Sequence, residues 1–278
     1  MATPLYQPFP MTGRARAQVW RYSPEYRRPR HFHVEPEFNL VVAGHGLFGA
    51  GETSIPVEAG DLLWWAPGQD HELMEASPDF DLFVVGVSPE LSAQALGSEG
   101  ASIGAGATRL RLPGTTLARF HERCAVSPAL EGPAAVERHV AELWREAHAL
   151  HVGAPEQHVL TRRALRSLQR WPELRRSDVA EVAGADPSDI SRYFRRDVGV
   201  TLTTYRTRLR LLRFISVADA GSASLMAAAD EAGFGSYSQC HRAFHQIFGC
   251  TPRTFFGGSV RERMRDAYAP WPAAASRH

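Results

Sequence analysis

The last third of this 278-residue chain repeats itself, and that repeat constrains the fold more than any other feature. Ala180 and Ala229 are 49 residues apart, as are Gly184 and Gly233. Phe194 and Phe244, Gly199 and Gly249, and Thr201 and Thr251 are each 50 apart. The one-residue difference falls in the second turn, where a loop absorbs an insertion at little cost. Each copy reads as a short helix, a tight turn and a second helix. In the first, SDVAEVAGADPSDISRYF turns at Gly184 and reopens at Asp186-Pro187; in the second, Ala229 and Gly233 lead into GSYSQCHRAF. A small unit that presents one helix outward, built twice, is suited to reading the DNA major groove.

The faces of the two outward helices follow from spacing. Asp186 suits the N-cap, Pro187 the first helical position and Asp189 the positive end of the helix dipole. Ile190, Tyr193 and Phe194 are predicted to pack inward, leaving Ser188, Ser191, Arg192, Arg195 and Arg196 outward. In the second copy Cys240, Ala243 and Phe244 go inward, while Tyr237, Ser238, His241, Arg242 and His245 face out. Between the copies, Leu202–Ser216 carries an apolar stripe of Tyr205, Leu209, Leu212 and Ile215, which predicts a helix. Fifteen residues of helix span roughly 22 Å at about 1.5 Å per residue. His158–Trp171 reads as an earlier basic helix, with Leu160, Ala164, Leu168 and Trp171 inward.

Charge separates this part of the chain from the rest. Residues 158–258 carry 15 Arg against 9 Asp and Glu, whereas residues 1–157 carry 12 Arg against 19 acids. A basic module joined to an acidic one points to nucleic acid as the basic module's partner. All 31 basic residues are Arg, so it is the balance that carries weight. Three cysteines (Cys124, Cys240, Cys250) without a CxxC pair suggest a reducing, cytoplasmic setting, and Cys240 reads as a small buried hydrophobe. No apolar run has signal-peptide length or the length to span a bilayer, so no membrane partner is expected.

The first half reads as β structure. Residues 1–30 show no periodicity and suggest an arm, or a first strand at most. From His31, short apolar segments alternate with glycine turns: Phe38–Val42, Leu47-Phe48, Leu62–Trp65 and Phe80–Val87. This spacing predicts an antiparallel barrel or jelly roll. Leu91–Thr108 is small-residue-rich and reads as a mobile loop. Val136, Val140, Leu143, Trp144, Ala147 and His151 then fall on one helical face, to be buried on the barrel or against a second copy in a homodimer. Val152–Gln157 is the expected linker.

Two groups of residues in this half suggest chemistry. His31-x-His33 places two imidazoles on one strand face, Glu37 follows at the bend, and His71 follows the Gly60–Gly68 segment. Three imidazoles and a carboxylate suit a divalent transition metal, and the residue types alone do not choose among Zn, Fe, Ni, Cu and Mn. Phe38, Leu40, Phe48, Trp64 and Trp65 are the candidate lining of a pocket for a small-molecule effector.

Residues 158–256 resemble the tandem helix-turn-helix domain of the AraC/XylS family of transcription regulators. Ala180, Gly184, Ser191-Arg192-Tyr193-Phe194 and Gly199 carry the likeness in the first half. Ala229, Gly233-Phe234, Arg242-Ala243-Phe244, Phe248-Gly249 and Thr251-Pro252 carry it in the second. The sequence departs from that pattern at Cys240 and His241, which puts the packing and base preference of the second unit in doubt. The resemblance implies binding to double-stranded promoter DNA, with RNA polymerase as a further partner, and base reading by Ser188, Ser191, Arg192, Tyr237, Ser238, His241 and Arg242. The first half resembles a cupin barrel at His31, His33, Glu37 and Gly44, and again at Gly60, Gly68 and His71. Ala66 stands where that family commonly has Pro, and Glu75 where it has Asn. Cupin-like sensor domains of AraC-type regulators frequently hold no metal, so metal and organic effector both remain open.

The expectation is therefore a two-domain α+β chain. A cupin-like sensing barrel occupies residues 1–110, helical connectors 111–151, a linker 152–157, a tandem helix-turn-helix domain 158–258 and a tail 259–278. It is expected to regulate transcription, as activator or repressor, and not to be an enzyme; the rival reading is a metal-dependent cupin dioxygenase or isomerase fused to a DNA-binding domain.

Overall fold

The computed structural model describes residues 5–7, 9, 11, 15–22, 29–100, 108–152, 158–221 and 224–257. Alternating side chains and glycine turns give the first half two main antiparallel sheets. Five strands form the larger, in the order β10 (Thr108–Arg111), β7 (Asp61–Trp65), β4 (Glu37–Ala43), β9 (Asp81–Val87) and β2 (Ala17–Arg21). The smaller holds β6 (Thr53–Glu58), β5 (His45–Ala50) and β8 (Glu72–Ala76). A short parallel pair joins β1 (Leu5–Tyr6) to β3 (His31–Phe32).

The period-two pleat decides which core each side chain enters. On one face of the larger sheet, Phe38, Leu40, Leu62, Trp64 and Val85 pack beneath the helices α1 (Pro89–Gly100), α2 (Gly114–Val126) and α3 (Pro133–Val152). On the other, Val41, Leu63, Trp65 and Val84 meet Phe48 and Val57 of the smaller sheet. The stripe on α3 is buried within its own chain: Val140, Leu143, Trp144 and Ala147 lie in the core under the sheet, with Trp144 stacked 5.6 Å from Phe38. The side chain of His151 lies outside the described residues.

Two expectations for this half need correction. Leu91–Thr108 is not a loop throughout: Pro89–Gly100 is helical, and strand β10 begins at Thr108. Small residues gave α1 almost no amphipathic signature, and its order comes from Leu91 buried in the helix-covered core and from packing on α3. The first thirty residues supply two strands where at most one was expected, and β2 depends on the neighbouring β9 rather than on any pattern of its own.

In the second half the repeat is structural. After α4 (Val159–Arg170), the first unit is α5 (Arg176–Ala183) and α6 (Pro187–Val198); the second is α8 (Leu225–Glu231) and α9 (Tyr237–Phe248). Helix α7 (Leu202–Asp219) joins them, and α10 (Pro252–Phe256) follows. Thr201 and Thr251 each cap the next helix by accepting a backbone N–H at 3.1 Å, from Thr204 and Thr254. Ile190, Phe194, Phe214, Cys240 and Phe244 share one core, and Tyr6, Phe32 and Ala66 of the first half enter it. The linker residues 153–157 and the tail beyond 257 lie outside the described residues.

Candidate nucleic-acid interface and histidine site

Helix α6 begins as its sequence requires. Asp186 accepts the Ser188 N–H at 2.7 Å, Pro187 fills the first position, and the hydrogen bonds from Ser188 hold the Asp186 carboxyl below its ordinary range. Ser188, Arg192, Arg195 and Arg196 are exposed, and Ser191 is half-buried with its hydroxyl donating to Pro187 O at 2.8 Å. Arg192 pairs with Asp189 at 2.7 Å, Arg196 with Asp197 at 2.6 Å, and Arg195 reaches Glu52 of the first half at 2.8 Å. Tyr193 is not a core residue. Its ring lies half-buried, stacked on His158 at 3.7 Å, with the guanidinium groups of Arg192 and Arg196 at 4.9 and 5.0 Å. It serves as a platform that orients two arginines of the exposed face.

On α9, Ser236 caps the helix by accepting the Gln239 N–H at 3.2 Å. Ser238, Arg242 and His245 are exposed, as predicted. Tyr237 and His241 are only half-exposed, in contact with each other at 6.1 Å between ring centres. Burial raises the Tyr237 hydroxyl pKa, because the ring packs against the helical core. Burial likewise pushes the Cys240 thiol up to about 12, which makes it an inert packing residue.

The four candidate metal ligands come together. His31 and His33 leave β3 on one side while Phe32, between them, enters the helical core. Strand pairing supplies the third imidazole, since His31 and His71 exchange backbone hydrogen bonds at 3.1 and 2.9 Å. One nitrogen from each of His31, His33 and His71 lies within 4.8 Å of the others, and all three residues are buried. Each Nδ1 faces a carbonyl oxygen: Pro29 at 2.9 Å, Glu35 at 2.7 Å and Gln69 at 3.3 Å. A carbonyl only accepts, so each Nδ1 carries the proton and each Nε2 keeps its lone pair. Metal-bound histidines are held in the same way.

Glu37 completes the cluster. Asn39 donates to its Oε1 at 2.6 Å, and Trp65 donates to Asn39 at 2.6 Å, which turns Oε2 toward His33 Nε2 at 3.1 Å and His71 Nε2 at 3.7 Å. The buried Nε2 of His33 makes no hydrogen bond. Burial pulls the His71 pKa down to about 4 against the pull of Glu37. Converging lone pairs and a fixed carboxylate oxygen are a donor set that could hold a divalent transition metal.

The expected effector-pocket residues are not brought together. Phe38, Leu40 and Trp64 pack under the helices, and Phe48 and Trp65 lie between the sheets. All five are core, because adjacent positions on β4 and β7 point to opposite faces. Trp65 instead braces the histidine cluster, stacked 4.6 Å from His71. A cleft of about 340 Å³ does occur where Val34, Pro36 and Pro67 face Leu209 and Leu212 of α7. Sequence reasoning missed the contacts between the halves, as it also missed Asn39, a polar residue at an inward strand position that could have signalled a ligand-orienting role.

A sheet-built domain carrying a buried histidine cluster, followed by two helix-turn-helix units, defines a ligand-responsive DNA-binding regulator. The AraC-like ligand binding domain model matches residues 17–168, and a helix-turn-helix domain model matches residues 179–257. The chain belongs to the AraC family of transcription regulators. No curated protein matches it. Among solved structures, ToxT from Vibrio cholerae is 12% identical, with 87% of this chain and 96% of that chain covered and a TM-score of 0.44. The AraC-like transcriptional activator CuxR is 17% identical over 78% of each chain, with a TM-score of 0.35. A cupin protein from Bacteroides fragilis is 21% identical over 26% of this chain and 64% of that one, with a TM-score of 0.23. No helix among the described residues is long and apolar enough to cross a membrane.

Proposed function

We propose that the effector of this regulator is a divalent transition metal ion, held by His31, His33, His71 and Glu37. One observation carries the reading: three buried imidazoles each give Nδ1–H to a backbone carbonyl and converge through Nε2 beside a carboxylate anchored by Asn39. In a buried site, lone pairs facing a carboxylate call for a proton or a cation between them. Bound there, the ion would supply positive charge and fix the relative positions of β3, β4 and the segment ending at His71. All four ligands are at most 4% exposed, which favours sensing over catalysis, since a catalytic metal needs a position open to substrate. We read the chain as a non-enzymatic cytoplasmic regulator that reads promoter DNA through Ser188, Ser191, Arg192, Arg196, Ser238 and Arg242. Contact with RNA polymerase and pairing with a second copy belong to the same proposal.

The test is metal content and its effect on DNA binding. Purified chain loaded with cobalt(II) or zinc(II) should retain about one equivalent, and His33→Ala with His71→Ala should retain none. Retention of no metal by a chain that still binds DNA would overturn the reading. The cleft between Pro67 and Leu209 favours the second reading, a small organic effector; it predicts a thermal shift with the effector that survives the two histidine substitutions.

A further inference from the structure

The turn between β5 and β6 lies against the first reading unit. The Glu52 N–H donates to the carbonyl of Gly199, at the C-cap of α6, at 3.0 Å. The Glu52 carboxylate accepts two hydrogen bonds from Arg195 Nη2 at 2.8 Å and one from Nε at 3.2 Å. Arg195 follows Ser188, Ser191 and Arg192 at steps of three and four, so it closes the same exposed stripe. The approach is backbone on backbone: a Cβ on Gly51 would fall 2.4 Å from Gly199 O.

The turn is also held from behind. Asp70 Oδ2 accepts the Gly51 N–H at 3.2 Å, and Arg30 donates to Gly51 O at 2.6 Å. Arg30 and Asp70 are the chain neighbours of His31 and His71. The other oxygen of Asp70 receives Arg208 of α7 in a buried ion pair.

We propose that the sensing domain restrains its own first reading unit through a latch: Glu52 occupies Arg195 in place of a DNA phosphate, and Arg30 and Asp70 tie that latch to the histidine cluster. Carboxylate and phosphate compete for the same guanidinium fork, so Arg195 serves one or the other. Both partners are about half exposed, so the pair is weak and reversible. The Asp70–Arg208 pair is buried and keeps its place when the latch opens. Among the described residues no carboxylate of the first half pairs with α9, so the latch acts on one reading unit alone. The tie to the histidine cluster rests on the metal reading; the latch does not.

Anisotropy titrations of the full chain with a duplex selected from a random library would test it. In metal-free protein, Glu52→Gln should tighten binding about three-fold, and the same change in an Arg195→Ala background should have no effect. Equal affinity of Glu52→Gln and the parent overturns the latch. So does an equal gain in both backgrounds, which is a bulk charge effect. With cobalt(II) bound, as seen by its visible absorption, DNA affinity should rise in the parent and not in Glu52→Gln. Cobalt binding that changes both alike, or neither, overturns the tie to the cluster. Failure of cobalt to bind at all removes the metal reading, and the metal-free comparison still decides the latch.

Discussion

The two helix-turn-helix units share a plan and differ in what holds them. Both end the reading helix at a left-handed glycine, Gly199 at φ 76° and Gly249 at φ 68°. Both bury an equivalent phenylalanine, Phe194 and Phe244, with no exposure. The first unit, however, presents its C-cap and one arginine to the sensing domain, whereas the second touches that domain through its back, where Phe248 packs edge-on against Tyr6 at 5.4 Å. Helix α7 lies between them and is pinned by Arg208 to Asp70 and by the Tyr205 hydroxyl to Pro67 O at 2.9 Å. Duplication made two similar readers; docking on an unduplicated partner made them unequal.

The largest expected effect comes from removing that pin. Asp70→Ala leaves the Arg208 guanidinium, only 6% exposed, without its counter-charge, and should cost about 3–5 kcal/mol in denaturant unfolding. A loss confined to a few tenths would mean that α7 is not held this way. Next come the reading arginines. Arg242→Ala should weaken binding to a selected duplex by about 1–3 kcal/mol, and Arg192→Ala by less, because Asp189 already engages that side chain. Gel-shift titrations in which Arg192 dominates would reverse the comparison.

The paired glycines give a sharper contrast. At either position alanine in a left-handed conformation costs about 1 kcal/mol. Nothing lies within 4 Å of a Cβ on Gly249, whereas one on Gly199 would fall 2.6 Å from Ala50 O. Gly199→Ala should therefore lower the melting temperature further than Gly249→Ala and expose the β5–β6 turn to proteolysis; equal shifts would mean that the contact between halves is dispensable.

The smallest effect is one of pH. The first unit caps its helices with Asp178 and Asp186, the second with Ser224 and Ser236. Backbone and serine donors hold both carboxyls below their ordinary values in the folded chain. Folded pKa values below the unfolded ones mean that this stabilisation is complete above about pH 4 and fades as pH falls through the folded values. Amide exchange at α5 and α6 should accelerate in that acid window while α8 and α9 stay unchanged. Parallel acceleration would show that the caps do not separate the units.

Local periodicity determined much of this protein without coordinates. The offsets of 49 and 50 residues, the caps at Asp186 and Thr201, and the pairing of His31 with His33 on one strand face are short-range patterns that any chain with this sequence must express. Even Glu37 and His71 were legible as candidate ligands, from residue type, from their places just after strand segments and from the likeness to cupin motifs. Only the tertiary structure decided that Asn39 and Trp65 brace Glu37 and His71, that α1 is a helix, and that Tyr193 supports arginines rather than filling a core. It alone joined Glu52 to Arg195 and Asp70 to Arg208, residues 143 and 138 positions apart. Such pairs leave no periodic trace: either partner, taken alone, reads as an ordinary surface charge, and the partnership exists only once two separately folded segments bury a common boundary.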